Sequence, residues 1–169
     1  GLRNGDYDFV FIYHVDSTHA FDKDLEHYSL QRSTPHVIVS PEHRIAYFKN
    51  IQLKQLVNYP MVLLDIEPSS EYFLGLFRKK NLNPFIKYRS PSFETVRGFV
   101  ANGMGYSILI TQPKLNFDYN GNPIKYIPIQ DIVELGNITL TQLINRRPSR
   151  LMKAFHEYTI NNFISLKNA

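Results

Sequence analysis

The chain of 169 residues contains no cysteine. That absence excludes disulfides, thiolate metal sites, cysteine nucleophiles and iron–sulfur clusters together, and it suits the cytoplasm. Long apolar runs are missing too. No stretch approaches the roughly 18 consecutive apolar residues of a membrane span, so no membrane partner is expected. The opening residues, Gly1-Leu2-Arg3-Asn4-Gly5-Asp6, lack the basic and then apolar pattern of a secretory signal. Blocks of like charge are absent as well. The formal charge of +4 is dispersed in groups no larger than Arg78-Lys79-Lys80. Without a basic helix, a zinc finger or an RNP-like aromatic run, direct nucleic-acid binding by this segment is not expected.

The motifs of several enzyme classes are lacking. Neither H-E-x-x-H nor a P-loop occurs, and Gly103-x-Gly105 lacks the third glycine of the dinucleotide fingerprint. In Gly103-Met104-Gly105-Tyr106-Ser107 the serine stands two residues past the second glycine, inside a predicted strand, so it makes no G-x-S-x-G elbow. No catalytic residue is assigned and no cofactor is expected. His14, Asp16, His19, Asp22 and Asp24 have a metal-like composition, but their spacing fits no two-turn helical site. A polar loop after a buried strand explains them, and no metal is expected.

What is present is a core. With 43% hydrophobic and 14% aromatic residues, the chain can build one domain or two small lobes. The continuous apolar run at residues 8–13 predicts a strand buried on both faces of a parallel sheet. Further strands are expected at 25–31, 36–40, 61–64, 85–88, 106–110, 124–129 and 137–145. Short helical spacing occurs at 53–57. Ser69 or Ser70 can cap a helix reaching about Lys80. Ser90-Pro91 predicts the start of another that ends at Asn102-Gly103, with Phe93, Val96, Phe99 and Val100 on its core face. A closing amphipathic helix is expected over 149–163. This order implies an α/β protein with parallel sheet and covering helices.

Three stretches carry a family resemblance. The first is Leu2 through Val10, with its leucine, glycine, aspartate and buried strand. The second is Val37-Ile38-Val39-Ser40-Pro41-Glu42-His43-Arg44-Ile45-Ala46, an apolar strand followed by an "HPLA"-like element in which Arg44 replaces the usual proline. The third and most specific runs from Glu94 through Val96, Val100-Ala101-Asn102-Gly103-Met104-Gly105 and Tyr106 to Leu109, and it is similar to a helix, "V-A-x-G-x-G-I" turn and strand. Gly103 suits the positive φ of a helix end, and Gly105 suits a close passage into the strand. Together they resemble the effector (co-inducer, substrate-binding) domain of LysR-type transcriptional regulators, over essentially the whole chain.

The resemblance implies two Rossmann-like lobes of the periplasmic-binding-protein type 2 class. Residues 1–32 and 138–169 would form an incomplete first lobe and residues 33–137 the second. The winged helix-turn-helix and the first two βα units of the family lie outside the sequence. The implied function is non-catalytic sensing of a small, carboxylate-bearing effector in the interlobe cleft, in a homodimer or homotetramer that meets DNA only through the missing domain. A fragment of a solute-binding transport protein and an enzyme on the same scaffold are the alternatives. Candidate effector contacts are Ser90, Ser92 and Thr95 at one helix start, because unpaired helix N–H groups and the positive end of the dipole hold anions. Ser69 and Ser70 at a second helix start follow by the same reasoning. Tyr13 and His14 end the first-lobe strand, where the family often places a polar contact.

Overall fold

The computed structural model describes residues 1–14, 23–133, 135–145 and 147–165. The chain divides into two compact units, Gly1–Ser33 with Leu135–Ala169, and Thr34–Glu134. The second unit is thus inserted into the first.

The first unit holds strands β1 (Val10–His14) and β2 (Leu25–Ser33). The second contains β3 (His36–Val39), a short 3-10 helix (Arg44–Tyr47), α1 (Leu53–Leu56), β4 (Pro60–Leu64), α2 (Ser69–Arg78), β5 (Phe85–Ser90), α3 (Phe93–Ala101), β6 (Ser107–Leu109) and β7 (Lys125–Pro128). The chain returns to the first unit for β8 (Gly136–Leu143) and α4 (Arg150–Ser165).

In the first unit β8 lies between β1 and β2 and runs antiparallel to both. The expectation of a doubly buried strand in parallel sheet therefore fails for β1, whose Phe11 is 52% exposed. An unbroken apolar run does not reveal what covers it. Aromatic packing supplies part of the cover: Phe9 and Phe11 meet Phe155 of α4 at 5.5 and 6.4 Å between ring centroids.

The second unit builds one mixed sheet. β3 is flanked by β6 and β7, antiparallel to both, and β4 pairs in parallel with β5. A single parallel bridge at Met61 and Tyr106 joins the two parts: Tyr106 N–H donates to the Pro60 carbonyl (3.0 Å) and Val62 N–H to the Tyr106 carbonyl (2.8 Å). The order is β5-β4-β6-β3-β7, with β3 alone reversed, so the sheet is not all parallel. Val37, Ile38 and Val39 of β3 and Met61, Val62 and Leu63 of β4 are fully buried. Val96 and Val100 of α3 and Phe73 and Phe77 of α2 complete the core. Each such side chain contributes about 1.5–3 kcal/mol by leaving water.

The two glycines of the turn after α3 serve different ends. Gly103 follows the C-cap Asn102 at φ +76°, where a side chain is strained. Gly105 passes so close to β4 that a Cβ there would stand 2.2 Å from the Pro60 carbonyl oxygen.

Candidate functional site

Because β4 and β5 run in parallel, their carboxyl ends lie at one edge of the second unit's sheet, and α2 and α3 both begin there. Asp65 N–H donates to the Ser90 carbonyl (2.8 Å), tying the two loops together. Edges of this kind are where ligands bind in open α/β sheets.

The helix start differs from the sequence expectation. Ser90 is the last residue of β5, in register with Leu64, and Pro91 lies in the connection. Ser92 is the N-cap and accepts from the Thr95 N–H at 3.3 Å. Either serine could cap by residue type; strand pairing commits Ser90 to the sheet. The Ser90 Oγ in turn accepts from the Ser92 N–H (3.2 Å). Those two bonds, together with Val96 N–H to the Ser92 carbonyl (3.1 Å), leave Phe93 and Glu94 as the N–H groups of the first turn without a partner among the described residues. Both serine hydroxyls, having accepted, keep a hydrogen to donate. The Glu94 carboxylate does not neutralise the terminus, since it pairs with Arg97 at 3.2 Å. Thr95 is exposed and turns to the flank of α3, where it lines a separate depression of about 520 Å³ with Phe99, Asp118 and Tyr119.

At α2 the expectation of a serine cap is also corrected. Ser69 and Ser70 are the first helical residues, Pro68 occupies the N-cap position, and no side chain caps it. The helix thus begins one residue earlier than a Ser69 cap would set it. Ser70 is buried and donates to the Glu67 carboxylate at 2.6 Å. A carboxylate of the chain itself thus already sits at this start. Tyr13 and His14 lie at the end of β1 in the first unit, paired with Ile138 and Asn137; the His14 side chain is outside the described set. Residues 15–22, which include most of the metal-like group, are likewise outside the described residues. Asp24 is held by Arg3 at 2.7 and 2.9 Å, and this pairing lowers its pKa.

The sequence reading missed a polar line on the α3 face of the same sheet. His36, the first residue of β3, is in register with Leu109 and Pro128, so it stands at the edge where the helices begin. Its Nδ1 is 3.3 Å from the Thr34 carbonyl oxygen, its Nε2 is buried without a partner among the described residues, and burial lowers its pKa. The ring meets Tyr126 at 5.0 Å, whose hydroxyl accepts from the Arg97 guanidinium at 2.5 Å. Arg97 is 2% exposed and donates to the Phe117 carbonyl as well. Only the position of Arg97 inside the helix motif could have signalled it. Ser107 is fully buried in β6, its hydroxyl unpartnered among the described residues.

A two-unit α/β domain, with one unit inserted in the other and paired helix starts at the carboxyl edge of its sheet, defines a class of small-molecule binding domains. The particular family is shown by sequence: residues 1–163 match the LysR substrate binding domain, and the chain belongs to that family. It is a LysR effector-binding domain with a periplasmic-binding-protein type 2 fold. Among curated proteins it resembles the uncharacterized HTH-type transcriptional regulator YnfL of Escherichia coli K12, 24% identical over 145 residues, covering 84% of this chain and 48% of that protein. The chain thus spans about half the length of the curated relative it matches. The crystal structure of HinK, a LysR family transcriptional regulator from Pseudomonas aeruginosa, superposes with a TM-score of 0.86 at 31% identity, covering 96% of this chain and 55% of that one. The effector binding domain of QuiR in complex with shikimate shares the fold, with a TM-score of 0.79 at 22% identity over 97% of this chain and 75% of that one.

Proposed function

We propose that this domain is the non-catalytic sensor of a transcriptional regulator, and that it holds a carboxylate-bearing effector at the N-terminus of α3. The free N–H groups of Phe93 and Glu94, with the hydroxyls of Ser90 and Ser92 beside them, carry this reading. They leave unused donors at the positive end of a helix, and the one carboxylate of the first turn, Glu94, is paired with Arg97. The α2 start is the weaker choice because Glu67 already occupies the Ser70 hydroxyl. Shikimate, the ligand of QuiR, is itself a carboxylate.

In this reading Gly1–Ser33 with Leu135–Ala169 form the first regulatory subdomain and Thr34–Glu134 the second. The effector binds one arrangement of the regulator better than another, and that difference in affinity is the regulatory signal. The complete protein would act in the cytoplasm as a homodimer or homotetramer, meeting DNA through its helix-turn-helix domain. The relatives named as transcriptional regulators support a sensor over an enzyme.

The test is a thermal-shift screen of the protein with small carboxylic acids, including shikimate and benzoate, followed by calorimetry on the best binder. Ser92→Ala should weaken binding by about 1 kcal/mol, the scale of one neutral hydrogen bond. Ser92→Glu should abolish it, because a like charge then fills the anion's place. Unchanged affinity in the glutamate variant would remove the α3 start from the site.

A further inference from the structure

At the opposite edge of the same sheet, where β4 and β7 begin and α3 ends, lies a cavity of about 800 Å³. The effector reading makes no use of it. Small-molecule sites span roughly 300–1,000 Å³, so the size is that of a ligand site. Its walls come from the loop after β3, the residues after α1, the last turn of α3 and the residues before β7.

Apart from Glu42 and Arg44 on the rim, the lining side chains are neutral, and several keep a donor or acceptor that no bond among the described residues uses. His43 caps the 3-10 helix, its Nδ1 accepting from the Ile45 N–H at 3.3 Å. A nitrogen that accepts carries no proton, so the ring is neutral and its Nε2–H is a donor. The Tyr59 ring packs edge-on against it at 5.3 Å, and no bond engages the Tyr59 hydroxyl among the described residues. Asn58 is exposed and has no partner there either. Asn102 gives its Nδ2 to the Gly98 carbonyl (2.8 Å) and Asn122 its Nδ2 to Asp118 (3.0 Å), which leaves both side-chain carbonyls as acceptors.

Charge decides what such a set can hold. The formal charges of Glu42 and Arg44 on the rim cancel. The C-terminal end of α3 adds the negative pole of its dipole, so the helix that attracts an anion at its start repels one here. An intermingled set of neutral donors and acceptors matches hydroxyl groups, each of which both donates and accepts, and the Tyr59 and His43 rings offer an apolar surface to ring C–H groups.

We propose that this cavity is a second small-molecule site, and that it takes a neutral, multiply hydroxylated ligand such as a monosaccharide or a cyclic polyol. The site is independent of the anion site at the α3 start.

The experiment is an amide-shift titration of the 169-residue chain with D-glucose, D-galactose, D-xylose and myo-inositol at millimolar concentrations, with benzoate as the anionic control. At least one neutral probe should give saturable shifts at Asn58, Tyr59 and Asn102. Asn58→Ala, which removes no hydrogen bond among the described residues, should weaken that binding by about ten-fold, and Tyr59→Phe should weaken it while retaining the ring. Ser92→Glu, at the other end of α3, should leave it unchanged. The proposal is overturned if none of the four probes gives saturable shifts at these residues, if Asn58→Ala leaves the binding intact, or if benzoate is preferred at these residues.

Discussion

Replacing Gly105 with alanine should unseat the seam of the second unit's sheet. The new Cβ would stand 2.2 Å from the Pro60 carbonyl oxygen and 3.0 Å from its carbonyl carbon, both backbone atoms that no rotamer change can clear. Pro60 or the 105–106 segment must retreat, and that segment carries the two hydrogen bonds, Tyr106 N–H to Pro60 and Val62 N–H to Tyr106, that join β4 to β6. Losing them costs about 1 kcal/mol each. Holding alanine at a φ of +153° adds about 1–3 kcal/mol. The total of about 3–5 kcal/mol corresponds to a fall of roughly 10 °C in Tm for a domain of this size. Differential scanning calorimetry would measure it against Gly98→Ala as control. Gly98 lies inside α3 with nothing within 4 Å of the added Cβ, so that variant should gain about 0.5–1 kcal/mol from helix propensity. A Gly105→Ala protein melting within about 2 °C of the parent would refute the reasoning.

The buried Tyr106 hydroxyl has no partner among the described residues, and burial raises its pKa. Tyr106→Phe should therefore stabilise by about 1 kcal/mol in urea titration, and a loss of that size would mean the hydroxyl is bonded after all. Arg97→Met should cost about 2–4 kcal/mol in the same assay, because the Tyr126 hydroxyl and the Phe117 carbonyl lose their buried donor; a neutral result would show that the polar line is dispensable. Burial holds the pKa values of His36 and His43 below their ordinary 6.5. Above about pH 6.5 both are neutral whether folded or unfolded; below it the unfolded chain takes up protons that the folded chain refuses, so stability should fall as the pH drops from that point. His36→Phe should flatten this dependence, and an unaltered slope would assign it elsewhere.

The stretch from Glu94 to Gly105 was legible because its chemistry is local: helix periodicity, a glycine free to take positive φ, and a second glycine where two strands touch. Helix starts were less legible. Ser90, Pro91 and Ser92 all carry start signals, and only the pairing of Ser90 with Leu64 across β5 and β4 decides that Ser92 is the cap. At α2 two serines next to Pro68 posed the same ambiguity, and the proline took the position. The environment of β1 was hidden for a different reason, since an apolar run reads alike in a parallel interior and beside an antiparallel neighbour. His36, Tyr126 and Arg97 come from three distant segments and meet only through the sheet order β6-β3-β7 and the seat of α3 above it. Nothing in their local sequence marks that meeting. The cavity bounded by His43, Asn58, Asn102 and Asn122 is assembled from four such segments in the same way.

The central claim is that an anionic effector rests on the start of α3. The most direct measurement is the backbone amide spectrum of the protein titrated with the carboxylic acid that binds best in the thermal screen. The amides of Phe93 and Glu94, the two without partners, should show the largest saturable downfield shifts, as N–H groups do when they acquire an anionic acceptor. If the acid binds to saturation while those two amides stay where they were, the effector sits elsewhere and the account is contradicted.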